Sequence, residues 1–232
     1  MGRPRHAGRA VPGTARRHRV STDRDIALTH RIAALLLDYP DAALRERLPQ
    51  LSAAAAELPD RLGAGPRAVA ERLAATDPLV AQQHYVATFD LRRRCCPYLS
   101  YWTAGDTRNR GRALLEFQHV YREAGIEPPE SELPDHLAVV LEFAATADQR
   151  RGTALLINHH AALELLASAL RDQGTDYARI VEAVLATLPA PTAETLRRAR
   201  SIAAAGPAQE SVGLDGAPPY GGAASDEVGA RR

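Results

Sequence analysis

The sequence contains no lysine, so the 29 residues counted as lysine or arginine are all arginines. Its basic groups are therefore planar guanidiniums with several hydrogen-bond donors each. The absence of lysine excludes a P-loop, and no GxGxxG motif follows a strand pattern. No GxSxG motif occurs either. The usual sequence evidence for a nucleotide hydrolase, a dinucleotide-binding enzyme or a serine hydrolase is missing, and we expect a protein that is not an enzyme.

Cysteine is scarce, and the two cysteines, Cys95 and Cys96, are adjacent. This spacing matches neither a CxxC redox pair nor a zinc knuckle. His159 and His160 are neighbours that point in different directions on a helix, and no HExxH motif occurs. The sequence therefore predicts no metal site and two reduced cysteines in a cytoplasmic protein.

Long apolar runs are also lacking, because no window has the roughly 18 apolar residues that a membrane span needs. Arg16 to Arg19 superficially resembles a twin-arginine export signal, but charged residues such as Asp23, Arg24 and Asp25 interrupt the apolar region that should follow. The net charge is only +1. It argues against a general attraction to nucleic acid or to anionic membranes, and we expect neither partner.

Hydrophobic residues make up 45% of the chain, but aromatic residues only 5%, so leucine, alanine and valine must build the core. Apolar residues recur at helical spacing almost throughout. We expect a single all-α domain over residues 22–205, of the compact multi-helix type with mostly antiparallel neighbours. A disordered basic arm is expected over residues 1–21 and a disordered tail over 206–232. Helices are predicted near 23–37, 42–51, 67–75, 78–91, 107–124, 134–147, 152–172, 176–188 and 192–204, with a loop over 59–66.

Local end signals support several of these helices. Thr22 to Asp25 has the form of a capping box, and Asp77 precedes a proline that suits a first helical position. Asp106 is a plausible N-cap, and Gly125 fits the end of the helix that follows it. A proline-rich loop over 127–134 is a plausible hinge.

The few aromatic residues are concentrated in residues 85–111, which hold Tyr85, Tyr98, Tyr101 and Trp102 beside a run of three arginines, 92–94. Aromatic and arginine side chains are enriched at the energetic centres of protein interfaces. The stretch therefore suggests a binding surface. The alternative is that these rings fill the core where helices meet.

A second constellation, Glu132 to His136, is followed by the apolar residues Leu137 and Leu141. Pro134 fits a first helical turn, where the free N–H groups and the helix dipole would stabilise the Asp135 carboxylate. One interpretation is simple helix initiation, with His136 capping or packing. The other is an acidic, aromatic-lined cleft that receives a basic, apolar peptide.

Residues 85–111, with the runs FDLRRRCC and GDTRNRG, closely resemble the NarJ family, the assembly chaperones of respiratory nitrate reductase. Residues 132–136, ELPDH, are similar to the E-x-P-x-D-H motif of the wider TorD-like group, although here Asp135 follows Pro134 without a spacer. The sequence LLDYP at 36–40 also resembles the start of the family, and the resemblance covers roughly residues 23–205.

The resemblance implies an all-helical chaperone without a cofactor of its own. It implies binding to the immature, apo form of the catalytic (alpha) subunit of nitrate reductase, including its N-terminal segment. Molybdenum cofactor insertion, contact with cofactor delivery proteins, iron–sulfur cluster loading and delayed membrane docking are further implied roles. The expected client-binding residues are Tyr85, Phe89, Arg93, Tyr98, Tyr101, Glu132, Pro134, Asp135, His136, Leu137 and Leu141. A pH-dependent affinity is also expected if His136 changes charge near neutral pH.

Three alternatives stay open at this point. The same fold could serve another molybdoenzyme, such as a dimethyl-sulfoxide- or trimethylamine-oxide-type reductase. The arginine run and the basic arm would also suit a helical nucleic-acid-binding regulator, although the near-zero net charge weighs against it. An enzyme is the third alternative, but no phosphate cradle or catalytic base can be identified.

Overall fold

The computed structural model describes residues 21–105, 108–127 and 131–206, and within these ranges the chain forms eleven α-helices. A π-helical turn, Val86–Asp90, continues the fourth helix, and a 3-10 turn spans Arg93–Cys95. No β-strand occurs among the described residues, so the expected all-α fold is confirmed. The helices are α1 (Asp23–Leu36), α2 (Ala42–Glu57), α3 (Asp60–Ala75), α4 (Pro78–Tyr85), α5 (Tyr101–Ala104), α6 (Arg108–Glu123), α7 (Leu137–Thr146), α8 (Gln149–Asn158), α9 (His160–Asp172), α10 (Tyr177–Leu185) and α11 (Ala193–Ala205).

Some expectations concern residues that lie outside these ranges. They are the disordered arm apart from Ser21, the disordered tail apart from Gly206, the Asp106 cap, and residues 128–130 of the proline-rich loop. Within the described ranges, none of the helices has the length and apolar character needed to cross a membrane.

The predicted helix ends agree well with the structure. The Thr22 hydroxyl accepts a hydrogen bond from the Asp25 N–H (3.2 Å), and the Asp25 carboxylate accepts one from the Thr22 N–H (2.9 Å). This reciprocal pair is the predicted capping box. Asp77 caps α4 by accepting from the Leu79 N–H. Gly125 follows α6 with φ +74°, a conformation that favours glycine.

The loop predicted over residues 59–66 is wrong, because α3 begins at Asp60 and contains Pro66. The glycines there permit close helix packing instead of a turn. A Cβ on Gly63 would lie 2.1 Å from the Ala55 carbonyl oxygen of α2, and one on Gly65 would lie 2.8 Å from the Arg179 carbonyl oxygen of α10. Tertiary packing against two neighbouring helices therefore outweighs the local loop signal.

The prediction of a single helix over 152–172 is also wrong, since the helix is interrupted at His159, between α8 and α9. The His159 ring donates through Nδ1 to the Leu155 carbonyl oxygen (2.9 Å), which also accepts the His159 N–H (3.1 Å). The same ring packs on Phe117 of α6, with centroids 4.9 Å apart. The break lies in the backbone angles of His159, φ −106° and ψ +19°, which depart from the helical values while its ring is held between α8 and α6.

The core lies where α1, α3, α7, α9 and α10 meet, and leucine, alanine and valine dominate it. Helix α1 packs against α7, and α7 packs against α8. Gly152 allows the second contact, because a Cβ there would lie 2.4 Å from the Ala144 Cα and Cβ. Helix α7 is therefore held between α1 on one side and α8 on the other.

Stability should depend on pH through His30, which is fully buried in α1. Burial lowers the pKa of His30 to about 4, and its Nε2 lies 2.8 Å from Oγ1 of Thr187. The unfolded chain binds a proton near pH 6.5 and the folded chain does not, so stability falls as pH drops from about 6.5 towards 4. We expect His30 to account for a loss of about 2 kcal/mol at pH 5 relative to pH 7.5, measured as the difference between the native chain and a His30 variant in urea unfolding.

The His30→Gln variant should lose the part of this pH dependence that His30 contributes, because glutamine does not titrate. The remainder should persist, because burial also lowers the pKa of His136 and His159. The matched control is His119→Gln on α6, where the side chain is 73% exposed, and it should keep the native slope. An equal slope in native protein and His30→Gln would contradict the assignment.

Candidate functional site

Two segments that are far apart in sequence pair in front of α7. The Leu99 N–H donates to the Asp135 carbonyl oxygen and the Leu137 N–H donates to the Pro97 carbonyl oxygen, both at 3.0 Å. The two bonds hold residues 97–100 antiparallel to residues 134–137. The conspicuous sequence motifs around residues 98 and 135 are therefore parts of one structural unit.

The buried Asp135 carboxylate links the two paired segments through hydrogen bonds to Ser100. It is fully buried, and its Oδ2 accepts hydrogen bonds from the Ser100 N–H (3.1 Å) and hydroxyl (2.6 Å). Its other oxygen, Oδ1, has no hydrogen-bond partner within the described ranges. The prediction that the free N–H groups of its own helix stabilise Asp135 is wrong. The N–H and hydroxyl of Ser100 donate to its carboxylate instead.

His136 is the N-cap of α7, as one of the two interpretations of the motif predicted. Its Nδ1 accepts the Ala138 N–H at 3.3 Å, and its ring meets the Tyr98 ring edge-on at 5.1 Å. Burial lowers the pKa of His136, although the nearby charges of Glu132 and Asp135 oppose this shift. The His136 imidazole is therefore neutral at pH 7. The role of His136 as a pH switch stays a prediction, and such a switch would operate at a pH below the ordinary pKa of histidine.

Tyr98 and Tyr121 tie the preceding residues to the same unit. The Tyr98 hydroxyl donates to Oε1 of Glu132 at 2.9 Å, and the Tyr121 hydroxyl donates to the Pro134 carbonyl oxygen at 2.6 Å. Burial raises the pKa of both phenols, and the hydrogen bond to Glu132 raises that of Tyr98 further. Both hydroxyls therefore stay protonated and keep donating.

A groove of about 680 Å³ lies between α1 and α7 and ends at this unit. Its floor is largely apolar, with Ala34 and Leu35 from α1 and Ala138, Val139 and Phe143 from α7. The remaining lining residues are Arg31, Asp38, Tyr85, Tyr121, Ile126, Glu127, Ser131, Glu132, His136, Glu142, Thr146 and Ala147. We call this the α1–α7 groove.

Negative charge dominates the rim of the α1–α7 groove. Four carboxylates line it within the described ranges: Asp38, Glu127, Glu132 and Glu142. The one arginine among these lining residues, Arg31, forms an ion pair with Glu142. An apolar floor with an acidic rim suits a basic amphipathic segment.

A second, smaller hollow of about 330 Å³ lies on the other side of Tyr98. It is lined by Phe89, Asp90, Arg93, Cys96, Pro97, Tyr98 and Tyr101. Because the Tyr98 hydroxyl bonds to Glu132 of the α1–α7 groove, Tyr98 separates the two depressions. No cluster of metal-binding side chains is found in the described part of the chain.

Several aromatic residues of the 85–111 stretch fill the core, as the alternative interpretation predicted. Tyr85, Phe89 and Trp102 are each no more than 9% exposed. The Phe89 ring packs on Tyr85 and on Tyr177, with centroids 4.9 Å apart in both pairs. Tyr85 and Phe89 nevertheless contribute an edge to the α1–α7 groove and to the hollow respectively.

A family model described as nitrate reductase delta subunit matches residues 38–182, which include the hollow and all of the α1–α7 groove except its residues Arg31, Ala34 and Leu35 on α1. The chain belongs to this family. The chain is also 34% identical over 175 residues to the probable nitrate reductase molybdenum cofactor assembly chaperone NarJ of Bacillus subtilis, covering 72% of this chain and 91% of that one. It is 31% identical over 157 residues to the corresponding NarJ of Escherichia coli K12, covering 66% of each.

A third relative is longer than these two. The nitrate reductase-like protein NarX of Mycobacterium tuberculosis is 46% identical over 159 residues, which are 67% of this chain. The matched region makes up 23% of NarX, so this delta-subunit family member spans about a quarter of that protein.

The expected client-binding residues of this delta-subunit family member divide into three groups. Tyr85, Glu132 and His136 line the α1–α7 groove, and Phe89, Arg93, Tyr98 and Tyr101 line the hollow. Pro134 and Asp135 lie buried in the wall between them, whereas Leu137 and Leu141 are fully buried in the core and reach neither depression.

Most residues that line the α1–α7 groove were not among the residues predicted from the sequence. Leu35 and Asp38 near the end of α1, and Ala138, Val139 and Glu142 of α7, line it. Spacings of three and four residues place the members of each set on one helix face. That periodicity is visible in the sequence, but it does not show which two helices stand side by side.

Proposed function

We propose that this protein is a system-specific chaperone that binds the immature catalytic subunit of a respiratory nitrate reductase, including its N-terminal segment. In this role it keeps the apo subunit competent to receive the molybdenum cofactor, together with cofactor delivery proteins, before membrane docking. The role involves no catalysis and no cofactor of its own, and we place it in the cytoplasm. Family membership and the names of the two NarJ relatives support this proposal.

The observation that carries the proposal is the combination of an apolar floor and an acidic rim in the α1–α7 groove. The lining residues of α7, from Ala138 to Thr146, extend over about 12 Å of helix, which is about two helical turns. A basic amphipathic helix of that length can place its apolar face on Leu35, Val139 and their neighbours. Helix-in-groove recognition of this kind uses anchors spaced three and four residues apart.

The acidic rim would orient the client. Glu132 is held by Tyr98, so its carboxylate is fixed in position before the client arrives. Fixing a charged group in advance lowers the ordering cost of binding. The hollow beyond Tyr98 offers Arg93 to a client carboxylate, so both depressions could contact one continuous client segment.

The test is a pull-down with the tagged full-length protein from cells grown anaerobically on nitrate, followed by mass spectrometry. We expect recovery of a large nitrate reductase catalytic subunit that lacks molybdenum. The same pull-down after nuclease treatment should give the same result. Recovery of a different molybdoenzyme would change the client, and recovery of no molybdoenzyme would contradict the proposal.

A further inference from the structure

The start of α1, to which residues 1–20 are attached through Ser21 and Thr22, lies close to one end of the α1–α7 groove. The Gln149 side chain donates to the Asp23 carbonyl oxygen at 3.0 Å, which fixes the start of α1 beside the start of α8. Gln149 follows Thr146 and Ala147, which line the groove at the end of α7. The chain before Asp23 therefore starts at the end of α1 that lies towards Thr146 and Ala147, where the Ser21 hydroxyl accepts a hydrogen bond from Arg61 of α3.

The composition of residues 1–20 is opposite to that of the groove rim. These residues contain six arginines and no aspartate or glutamate. Half of the arginines are concentrated in Arg16, Arg17 and Arg19, next to small apolar residues such as Ala15 and Val20. The rim, in contrast, carries four carboxylates, and its arginine is already paired with Glu142.

The distances also match. Along α1, the groove residues Arg31 and Leu35 lie about 12 and 18 Å from Asp23, at 1.5 Å per residue. In the other direction, an extended chain places Arg19 and Arg16 up to about 13 and 23 Å from Asp23. A chain that folds back along α1 can therefore bring these arginines alongside the acidic rim.

We propose that residues 1–20 of this chain occupy the α1–α7 groove as an internal competitor for the client. The inference rests on the proposed function, because it assigns a second occupant to the same groove. A short tether gives the bound segment a high effective concentration, commonly in the millimolar range. A client segment then binds only by displacing the arm, so a weakly basic, non-client peptide is rejected.

The experiment uses a fluorescein-labelled peptide with the sequence of residues 1–20, added to the full chain at about 50 mM salt, where charge attraction is weakly screened. The test variant is the triple substitution Arg16→Gln, Arg17→Gln and Arg19→Gln. The matched control removes three exposed arginines of α11: Arg197→Gln, Arg198→Gln and Arg200→Gln. We expect the peptide to bind the test variant about tenfold more tightly than the native chain or the control, because the tethered competitor is weakened.

A second arm of the experiment locates the binding site. Adding Glu132→Lys and Glu142→Lys to the test variant should abolish peptide binding. Three results would each overturn the proposal. The peptide binds the native chain and the test variant equally, it does not bind the test variant, or it still binds after the two glutamate substitutions. If the native chain still captures a nitrate reductase catalytic subunit in the pull-down, the proposed function stands and only the internal competitor is wrong.

Discussion

Replacing Asp135 with alanine should lower the free energy of unfolding by about 3 kcal/mol, because two buried donors of Ser100 lose their acceptor. Hydrogen bonds to a charged group contribute about 1.5–3 kcal/mol each, and an unsatisfied buried donor adds a desolvation penalty. The measurement is urea unfolding at pH 7.5. The loss should be large even though a buried carboxylate is costly, since its partners remain buried after the substitution.

Two further variants sharpen this test. Asp172→Ala removes an exposed carboxylate and should change stability by no more than about 0.5 kcal/mol. Ser100→Ala removes only the hydroxyl donor, so combining it with Asp135→Ala should cost less than the sum of the two single changes. Additive effects, or a loss below about 1 kcal/mol for Asp135→Ala, would show that this contact does not hold the two segments together.

Reversing two rim charges, Glu132→Lys with Glu142→Lys, should weaken binding of the client's N-terminal peptide by about a hundredfold. Glu132→Lys turns an attraction for a basic peptide into a repulsion, and Glu142→Lys leaves two unpaired cations at the rim, the new lysine and Arg31, the former partner of Glu142. A hundredfold change corresponds to about 2.8 kcal/mol. The probe is a labelled peptide of the first 20 residues of the catalytic subunit recovered in the pull-down, titrated by fluorescence anisotropy. Added salt should weaken native binding, because the rim is open to solvent.

The control for this variant is Glu46→Lys with Glu57→Lys, which changes the net charge equally at exposed positions of α2 outside the groove. This control should bind the peptide within about twofold of the native affinity, because charges beyond a Debye length are largely screened. If both variants weaken binding equally, the attraction reflects overall charge and the groove is not the binding site. Circular dichroism should show that both variants remain helical.

Local signals were sufficient for most of the helices. Thr22 and Asp77 cap α1 and α4 as predicted, since a cap depends on a side chain and an N–H within three residues of each other. The contact between Asp135 and Ser100 spans 35 residues, and the resemblance alone did not reveal it. The sequence indicated that the segments around Ser100 and Asp135 are both unusual, but it did not show that they are in contact.

The errors have a common physical cause. Gly63 and Pro66 are typical of a loop, yet the approach of α2 within 2.1 Å of a Cβ position on Gly63 explains the glycine by packing. Leu137 and Leu141 have the spacing of a binding face, but that face of α7 belongs to the core. Periodicity shows that a helix has an apolar side, whereas only the arrangement of neighbouring helices decides whether that side meets the core or a partner.

The central claim, that this protein prepares an apo catalytic subunit for its cofactor, is tested most directly by molybdenum content. The nitrate reductase catalytic subunit would be purified from cells that carry the native chain, no copy of it, or the Glu132→Lys and Glu142→Lys variant, and molybdenum would be measured per subunit. We expect near-stoichiometric molybdenum with the native chain and strongly reduced content in the other two. Full molybdenum occupancy in cells without the protein would contradict the account.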